Sequence, residues 1–310
     1  MASPLRLTLG RTGARRVAGD GRSAWDGVVA SFETSEDAMS RFRETSEITS
    51  FNRVAGRRVV GRPSDRLRQA LVAADRARRI TDGRFDPSVL VDLDRLGYRG
   101  APLAGVVPAP ATKTAVIERC GRHDVSLPRP VDLGGIGKGL ALRWAAADLV
   151  ADGVADFLLE AGGDLVARGM DASADPWYAG IEDPAGGDDL AVIAVSDTAV
   201  ATSSIRVNRW AVEGRTIHHL IDPRTREPAD SGLLAVTVAL ADPAWAEVWS
   251  KVLFLGGRRA IAADARSRGL ACWWVTDDGT LEMTPAARAM TAWVATEDDD
   301  TGAAVDGVRA

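Results

Sequence analysis

Leu67, Ala70, Leu71, Ala74, Ala77 and Ile80 recur every three or four positions with arginines between them, which predicts an amphipathic helix after Ser64. Ser64 suits its N-cap, and Gly83 falls just past its end in the turn Thr81-Asp-Gly-Arg-Phe-Asp-Pro87. A second helix is predicted from Leu140 to Val150, stopped near Gly153. Asp242-Pro243 places a cap before a proline at the first helical position, so a helix is expected from there to about Leu255. Others are expected at 35–43 and about 258–268. Between 157 and 239 the pattern shortens to strand-like runs broken by Gly, Asp and Pro. Strands are predicted at 157–160, 165–168, 177–181, 191–195, 199–202, 207–212, 216–221 and 233–239, then near 272–276 and 281–283. Residues 1–30 read as irregular, with a weak strand at each end, and 44–53 as polar with Ile48 and Phe51 as anchors. Residues 97–113 read as a Gly/Pro/Ala loop and 296–310 as a disordered acidic tail. The expectation is one α+β domain over 31–295, a mostly antiparallel sheet packed by helices.

Composition narrows the function classes. Against 43 acidic residues stand 38 Lys and Arg, a net charge of −5, so neither nucleic acid nor an anionic membrane is an expected partner. Cys120 and Cys272 lack metal-ligand spacing, and a reducing compartment fits them at least as well as a disulfide. The first residues carry no apolar core of signal-peptide length and no run reaches membrane-spanning length, which points to the cytoplasm, although a mature fragment lacking its leader would read the same.

The stretch Val131-Asp-Leu-Gly-Gly-Ile-Gly-Lys-Gly-Leu140 reads as a strand-like approach breaking into glycines and then a helix. Bare backbone, a partly positive helix start and Lys138 together suit a phosphate-bearing ligand. It is not a P-loop, because Gly139 rather than Ser or Thr follows Lys138. It is not the dinucleotide fingerprint, because Gly135, Gly137 and Gly139 run two apart. On these residues alone a tight turn without a ligand remains equally open. Ala161-Gly-Gly-Asp164, Phe85-Asp-Pro87, Thr202-Ser-Ser204 and His218-His-Leu-Ile-Asp-Pro223 are, singly, ordinary turn chemistry.

Taken in order, Ser46-Glu-Ile-Thr-Ser-Phe-Asn52, Gly83-Arg-Phe-Asp-Pro87, Asp132-Leu-Gly-Gly-Ile-Gly-Lys-Gly139, Gly162-Gly-Asp164, Trp177 through Ile181-Glu-Asp-Pro184, Thr202-Ser203 and His219-Leu-Ile-Asp-Pro223 resemble the successive motifs of the FAD:protein FMN transferases, the ApbE family. The resemblance spans roughly residues 35–285 and implies that family's T-fold-like flavin transferase architecture. It implies FAD as substrate, cleavage of its pyrophosphate with Mg²⁺, release of AMP, and flavinylation of a threonine on an acceptor protein. His219, Lys138 and Asp222 take the catalytic positions. Phe85, Asp86, Pro87, Asp132, Gly134, Gly135, Gly137, Lys138, Glu160, Gly162, Gly163, Asp164, Thr202 and Ser203 take the flavin-nucleotide positions. Holding FAD without turnover, or hydrolysing it to FMN and AMP, are the alternatives.

The implied metal site is where the pattern departs. A loop carbonyl, here that of Gly137, would join a helical aspartate and a threonine four residues on, but those positions hold Glu247 and Lys251. Glutamate can still ligate through oxygen. A protonated lysine has no lone pair. Beside a divalent ion at about 4 Å and an effective dielectric of about 20, its charge costs roughly 8 kcal/mol. Lys251 is therefore expected either to replace the metal's charge or to bridge Glu247, an i,i+4 pair of about 0.3–0.5 kcal/mol.

Overall fold

The computed structural model describes residues 4–11, 21–102, 115–120, 122–206, 208–212 and 214–295. Lys113, most of the 97–113 loop and the acidic 296–310 segment lie outside the described residues.

In chain order the elements begin with β1 (Leu5–Leu9), α1 (Arg22–Met39), α2 (Glu47–Arg53) and α3 (Asp65–Ile80). A 3₁₀ turn at Pro87–Val89 leads into α4 (Leu90–Arg95), then β2 (Glu118–Arg119), β3 (Val125–Ser126) and α5 (Gly137–Ala151). Eight strands run through β4 (Phe157–Ala161), β5 (Asp164–Arg168), β6 (Trp177–Glu182), β7 (Asp189–Val195), β8 (Thr198–Ser204), β9 (Arg209–Val212), β10 (Arg215–His218) and β11 (Ile221–Asp222). The rest is β12 (Glu227–Pro228), β13 (Leu233–Leu240), α6 (Pro243–Gly256), α7 (Arg258–Ser267), β14 (Ala271–Thr276), β15 (Leu281–Met283), α8 (Pro285–Arg288) and β16 (Thr291–Val294).

Seven strands form the main sheet in the order β1-β4-β5-β8-β13-β14-β15, with antiparallel neighbours throughout. Strand alternation sends successive side chains to opposite faces. Trp273 and Leu165 therefore pack against the small sheet β16-β7-β6, whereas Cys272, Trp274, Val236 and Val238 pack under α6 and α7. Phe157, Leu159 and Val166 pack under α1 and α5. A second core joins α2, α3, α5 and α6 around Ile48, Leu67, Leu71 and Ile136.

The α+β, largely antiparallel architecture stands as expected, and Ser64 caps α3 through the Leu67 N–H. Four local expectations need correction. Of the two strands expected at the ends of residues 1–30, the first is present as Leu5–Leu9, the edge strand of the main sheet, but helix rather than strand begins at Arg22. That helix ends at Met39 and is far longer than the one expected at 35–43. Its inner face includes Ser31 and Ser35 beside Val28, Phe32 and Met39, which breaks up the apolar period. Val131 and Leu133 are not in a strand, because the Asn52 side chain satisfies both Val131 backbone groups at 2.9 Å each, in place of a neighbouring strand. The 216–221 run is two short strands broken at His219 and Leu220.

Candidate active site

The glycine-rich loop is held from below. The Asp132 N–H donates to the Pro87 carbonyl at 2.7 Å, the Asp132 carboxylate accepts the Gly134 N–H at 2.7 Å, and Leu133 C=O accepts the Gly137 N–H at 2.7 Å. Arg41, buried, pairs with Asp132 at 3.2 Å. Helix α5 starts inside the loop at Gly137, three residues before the expected Leu140. The N–H groups of Gly135 and Lys138 meet no acceptor among the described residues. Two open donors at the start of a fifteen-residue helix are a geometry that suits an anion.

Lys138, on the first turn of α5, pairs with the buried carboxylate of Asp164. Asp164 opens β5 directly after a two-residue hairpin in which Gly162 and Gly163 have φ of 57° and 88°. Only glycine takes both values without strain, as a type I′ turn requires. The other Asp164 oxygen accepts the Thr202 N–H at 3.0 Å, fixing the end of β8. Behind these groups lies Glu247 on α6, 3% exposed, whose carboxylate accepts the Gly139 N–H at 2.9 Å. Ser250 donates to the Glu247 carbonyl and shares a 2.9 Å bond with Ser203, tying α6 to β8.

Charge within this cluster is strongly coupled. Burial opposes protonation of Lys138, but Asp164 and Glu247 outweigh it and hold the ammonium above its usual range. Burial pushes Glu247 up to about 7, against the pull of Lys138 and Lys251. Lys251 is pushed down by burial and drawn back up by Glu247. The expected Glu247–Lys251 bridge is not formed: no ion pair within 4 Å joins them, because Glu247 turns to the Gly139 N–H. His219 is driven down to about 3 by burial first and by the nearby positive charge of Lys251 second. Its Nδ1 lies 3.3 Å from the Asn208 carbonyl, so Nδ1 carries the proton and Nε2 keeps its lone pair.

The raised carboxyl of Glu247 has a stability consequence. In the window from about 4.5 to 7 the folded state holds a proton that the unfolded chain has lost, so this contribution is complete below 4.5 and fades as pH rises through 7. A Glu247→Gln chain lacks it. The melting temperature of the native chain relative to E247Q is expected to fall between pH 5 and pH 8; a difference that rises over that range would contradict the burial argument.

An aromatic wall faces the cluster. Tyr98 and Trp210 are stacked with centroids 5.1 Å apart, Phe42 meets Tyr98 edge-on, and the His219 ring lies 6.3 Å from Tyr98. The Arg41 guanidinium lies over both Phe42 and Tyr98, 4.6 and 4.9 Å from their centroids. The Trp210 indole donates to the Leu96 carbonyl at 2.6 Å.

A model of the ApbE family matches residues 1–274. The chain belongs to the ApbE family. Among its relatives, the FAD:protein FMN transferase of Salmonella typhimurium is 29% identical over 260 residues, covering 78% of this chain and 73% of that one. The FAD:protein FMN transferase of Klebsiella pneumoniae is 27% identical over 268 residues, covering 81% and 76%. The fold is shared with the crystal structure of the ApbE protein from Thermotoga maritima, at TM-score 0.80 and 24% identity, covering 93% of this chain and 96% of that one.

Within this ApbE chain the residues expected at the site divide. Lys138, Asp164, Glu247, Lys251, Asp132 and His219 are coupled electrostatically, and Gly134, Gly135, Gly137, Thr202 and Ser203 lie on the segments that carry them. Phe85 is 3% exposed and packs under Gly135, where a Cβ would lie 3.0 Å from its ring, so it supports the loop rather than offering a free ring face. Asp86 caps the 3₁₀ turn and pairs with Arg78, and Pro87 carries the carbonyl that holds Asp132. Glu160 turns to Arg6 at 3.8 Å on the sheet edge. Asp222 grips Arg224 at 2.7 to 3.2 Å within the β11–β12 hairpin, and that pairing holds its carboxyl low despite burial, which acts the other way. Glu160 and Asp222 are thus each paired with an arginine. Tyr98, Trp210 and Arg41 were not foreseen. Tyr98 is one of only two tyrosines and follows Gly97, a weak signal, while Arg41 is masked by an arginine-rich background.

The donors present do not fit a divalent metal. Among the described residues no group of three or more His, Cys, Asp or Glu is arranged to hold one. The Glu247 carboxylate is committed to a backbone N–H, and Lys251 offers no lone pair.

Proposed function

We propose that this chain is an FAD:protein FMN transferase. The observation that carries the reading is the convergence of Lys138 and Lys251 on the open N–H groups at the start of α5, with neutral His219 and a stacked aromatic pair alongside. The pyrophosphate is placed against Gly135, Lys138 and Lys251, and a flat ring of FAD against Tyr98 and Trp210. An acceptor threonine Oγ attacks the phosphorus on the FMN side. The bond from that phosphorus to the bridging oxygen breaks, AMP leaves with the bridging oxygen, and the hydroxyl proton passes to His219 Nε2. The product is a threonine–FMN phosphoester. His219 begins neutral, as a base must, and the incoming negative charge of the pyrophosphate offsets Lys251 and raises its basicity.

Cys120 and Cys272 are both free thiols. Among the described residues no helix is long and apolar enough to cross a membrane. Incubation with FAD and a threonine-bearing acceptor domain, followed by mass spectrometry and AMP measurement, is expected to give an FMN adduct and equimolar AMP. Neither product would refute the reading; free FMN without acceptor would indicate hydrolysis instead. His219→Ala is expected to lower kcat by about 10²- to 10⁴-fold. FAD affinity should change little by comparison, as a titration of bound flavin would show.

A further inference from the structure

We infer that the Lys251 ammonium is a built-in counter-ion for the FAD pyrophosphate, so that flavin binding here needs no divalent cation. The inference rests on the FMN-transferase reading above. Lys251 follows Glu247 by one turn of α6, and its stem lies against the glycine loop: a Cβ on Gly135 would sit 3.0 Å from Lys251 Cε and 3.3 Å from Cδ. The ammonium thus reaches the loop whose Gly135 N–H is open.

Its neighbours are charged but already engaged. Lys251 feels Glu247, Lys138, Asp164 and Asp132. Glu247 accepts from Gly139, Asp164 holds Lys138 and the Thr202 N–H, and Asp132 holds Arg41 and the Gly134 N–H. Among the described residues the Lys251 ammonium has no hydrogen bond and no ion pair within 4 Å, in contrast to Lys138. An ammonium carries three donors and binds phosphate as a point charge. With its carboxylate neighbours occupied, those donors are available to an anion on the loop. A bound pyrophosphate brings negative charge that favours the protonated lysine. The charge that repels a divalent ion is the charge that replaces it.

The test measures FAD affinity by titration calorimetry on the full chain, in EDTA and in millimolar Mg²⁺. The native chain is expected to differ by no more than about twofold between the two, a fraction of a kilocalorie. Lys251→Met removes the charge with similar bulk and is expected to weaken FAD by about 10- to 100-fold, as loss of a charge-assisted bond does. Titration of Mn²⁺ into the native chain with FAD bound, followed by electron paramagnetic resonance, is expected to show no protein-bound ion. Native affinity that collapses in EDTA, one Mn²⁺ held per chain, or Lys251→Met binding FAD like the native protein would each overturn the inference while leaving the transferase reading intact. Should Lys251→Met fail to fold, the two measurements on the native chain decide. No FAD binding in either buffer would sink the transferase reading itself, and this inference with it.

Discussion

Lys138→Met is expected to reduce FMN transfer by about 10²- to 10³-fold, the scale of losing one preorganised charge beside a reacting phosphate. Its ammonium stands on the first turn of α5, next to the open Gly135 N–H, where charge develops as the pyrophosphate bond breaks. The same change exposes a structural debt. Asp164 is 2% exposed, and without Lys138 its carboxylate keeps only the Thr202 N–H. Removing one partner of a buried pair leaves an uncompensated charge, and with Lys251 near enough to screen it the cost is about 3 kcal/mol. The two losses separate in one experiment. Lys138→Met with Asp164→Asn should recover much of the melting temperature and none of the transfer rate. Recovery of both would make Lys138 a structural residue only.

What the chain discloses in advance follows from how local each signal is. The cap at Ser64, the Asp242-Pro243 start of α6 and the Gly162-Gly163 hairpin are each written in adjacent residues, and each is found where expected. Val131 and Leu133 look like a strand because they alternate, yet the backbone partner of Val131 is a side chain 79 positions earlier, which no local pattern reveals. Glu160 and Asp222 have the right chemistry for a nucleotide site, but a carboxylate goes to its nearest cation: Arg6 sits opposite Glu160 across β1–β4, and Arg224 lies two residues from Asp222.

The aromatic wall is the reverse case. Tyr98, Trp210 and Phe42 come from three separate segments, and only the fold stacks them beside His219. The burial that pushes His219 down to about 3 is likewise tertiary. A free imidazole titrates near neutrality; its surroundings make this one a reliably neutral imidazole whose strength depends on what binds. The departures at Glu247 and Lys251 were visible in sequence, but their consequence was not. Glu247 accepts from the Gly139 backbone rather than bridging to its neighbour on the helix, which leaves Lys251 without an ion-pair partner among the described residues.

Gly139→Val is expected to destabilise the fold by about 3 kcal/mol, the upper part of the range for overpacking a filled core. Here α5 crosses α6 with almost no space between them. A Cβ on Gly139 would fall 2.5 Å from Ala244 Cα, and nearer still to the Pro243 carbonyl oxygen. Both obstacles are backbone, at the point where Asp242 caps α6 and Pro243 starts it, so neither can swing aside. Relief requires the helices to part, and parting them draws the Gly139 N–H away from Glu247. For a chain of this size each kcal/mol shifts the melting temperature by about 2–4 °C, so a fall of about 6–12 °C is expected in a thermal melt. Gly137→Ala, two residues earlier, is the control, since a Cβ there meets only Met39 Cε at 4.0 Å. It should melt within about 2 °C of the native chain, because Gly137 is the first residue of α5, where alanine gains little over glycine, and the added Cβ meets no obstacle. If Gly139→Val melts like Gly137→Ala, the close crossing is not what fixes Glu247 beneath the loop, and the placement of Lys251 beside it must have another cause.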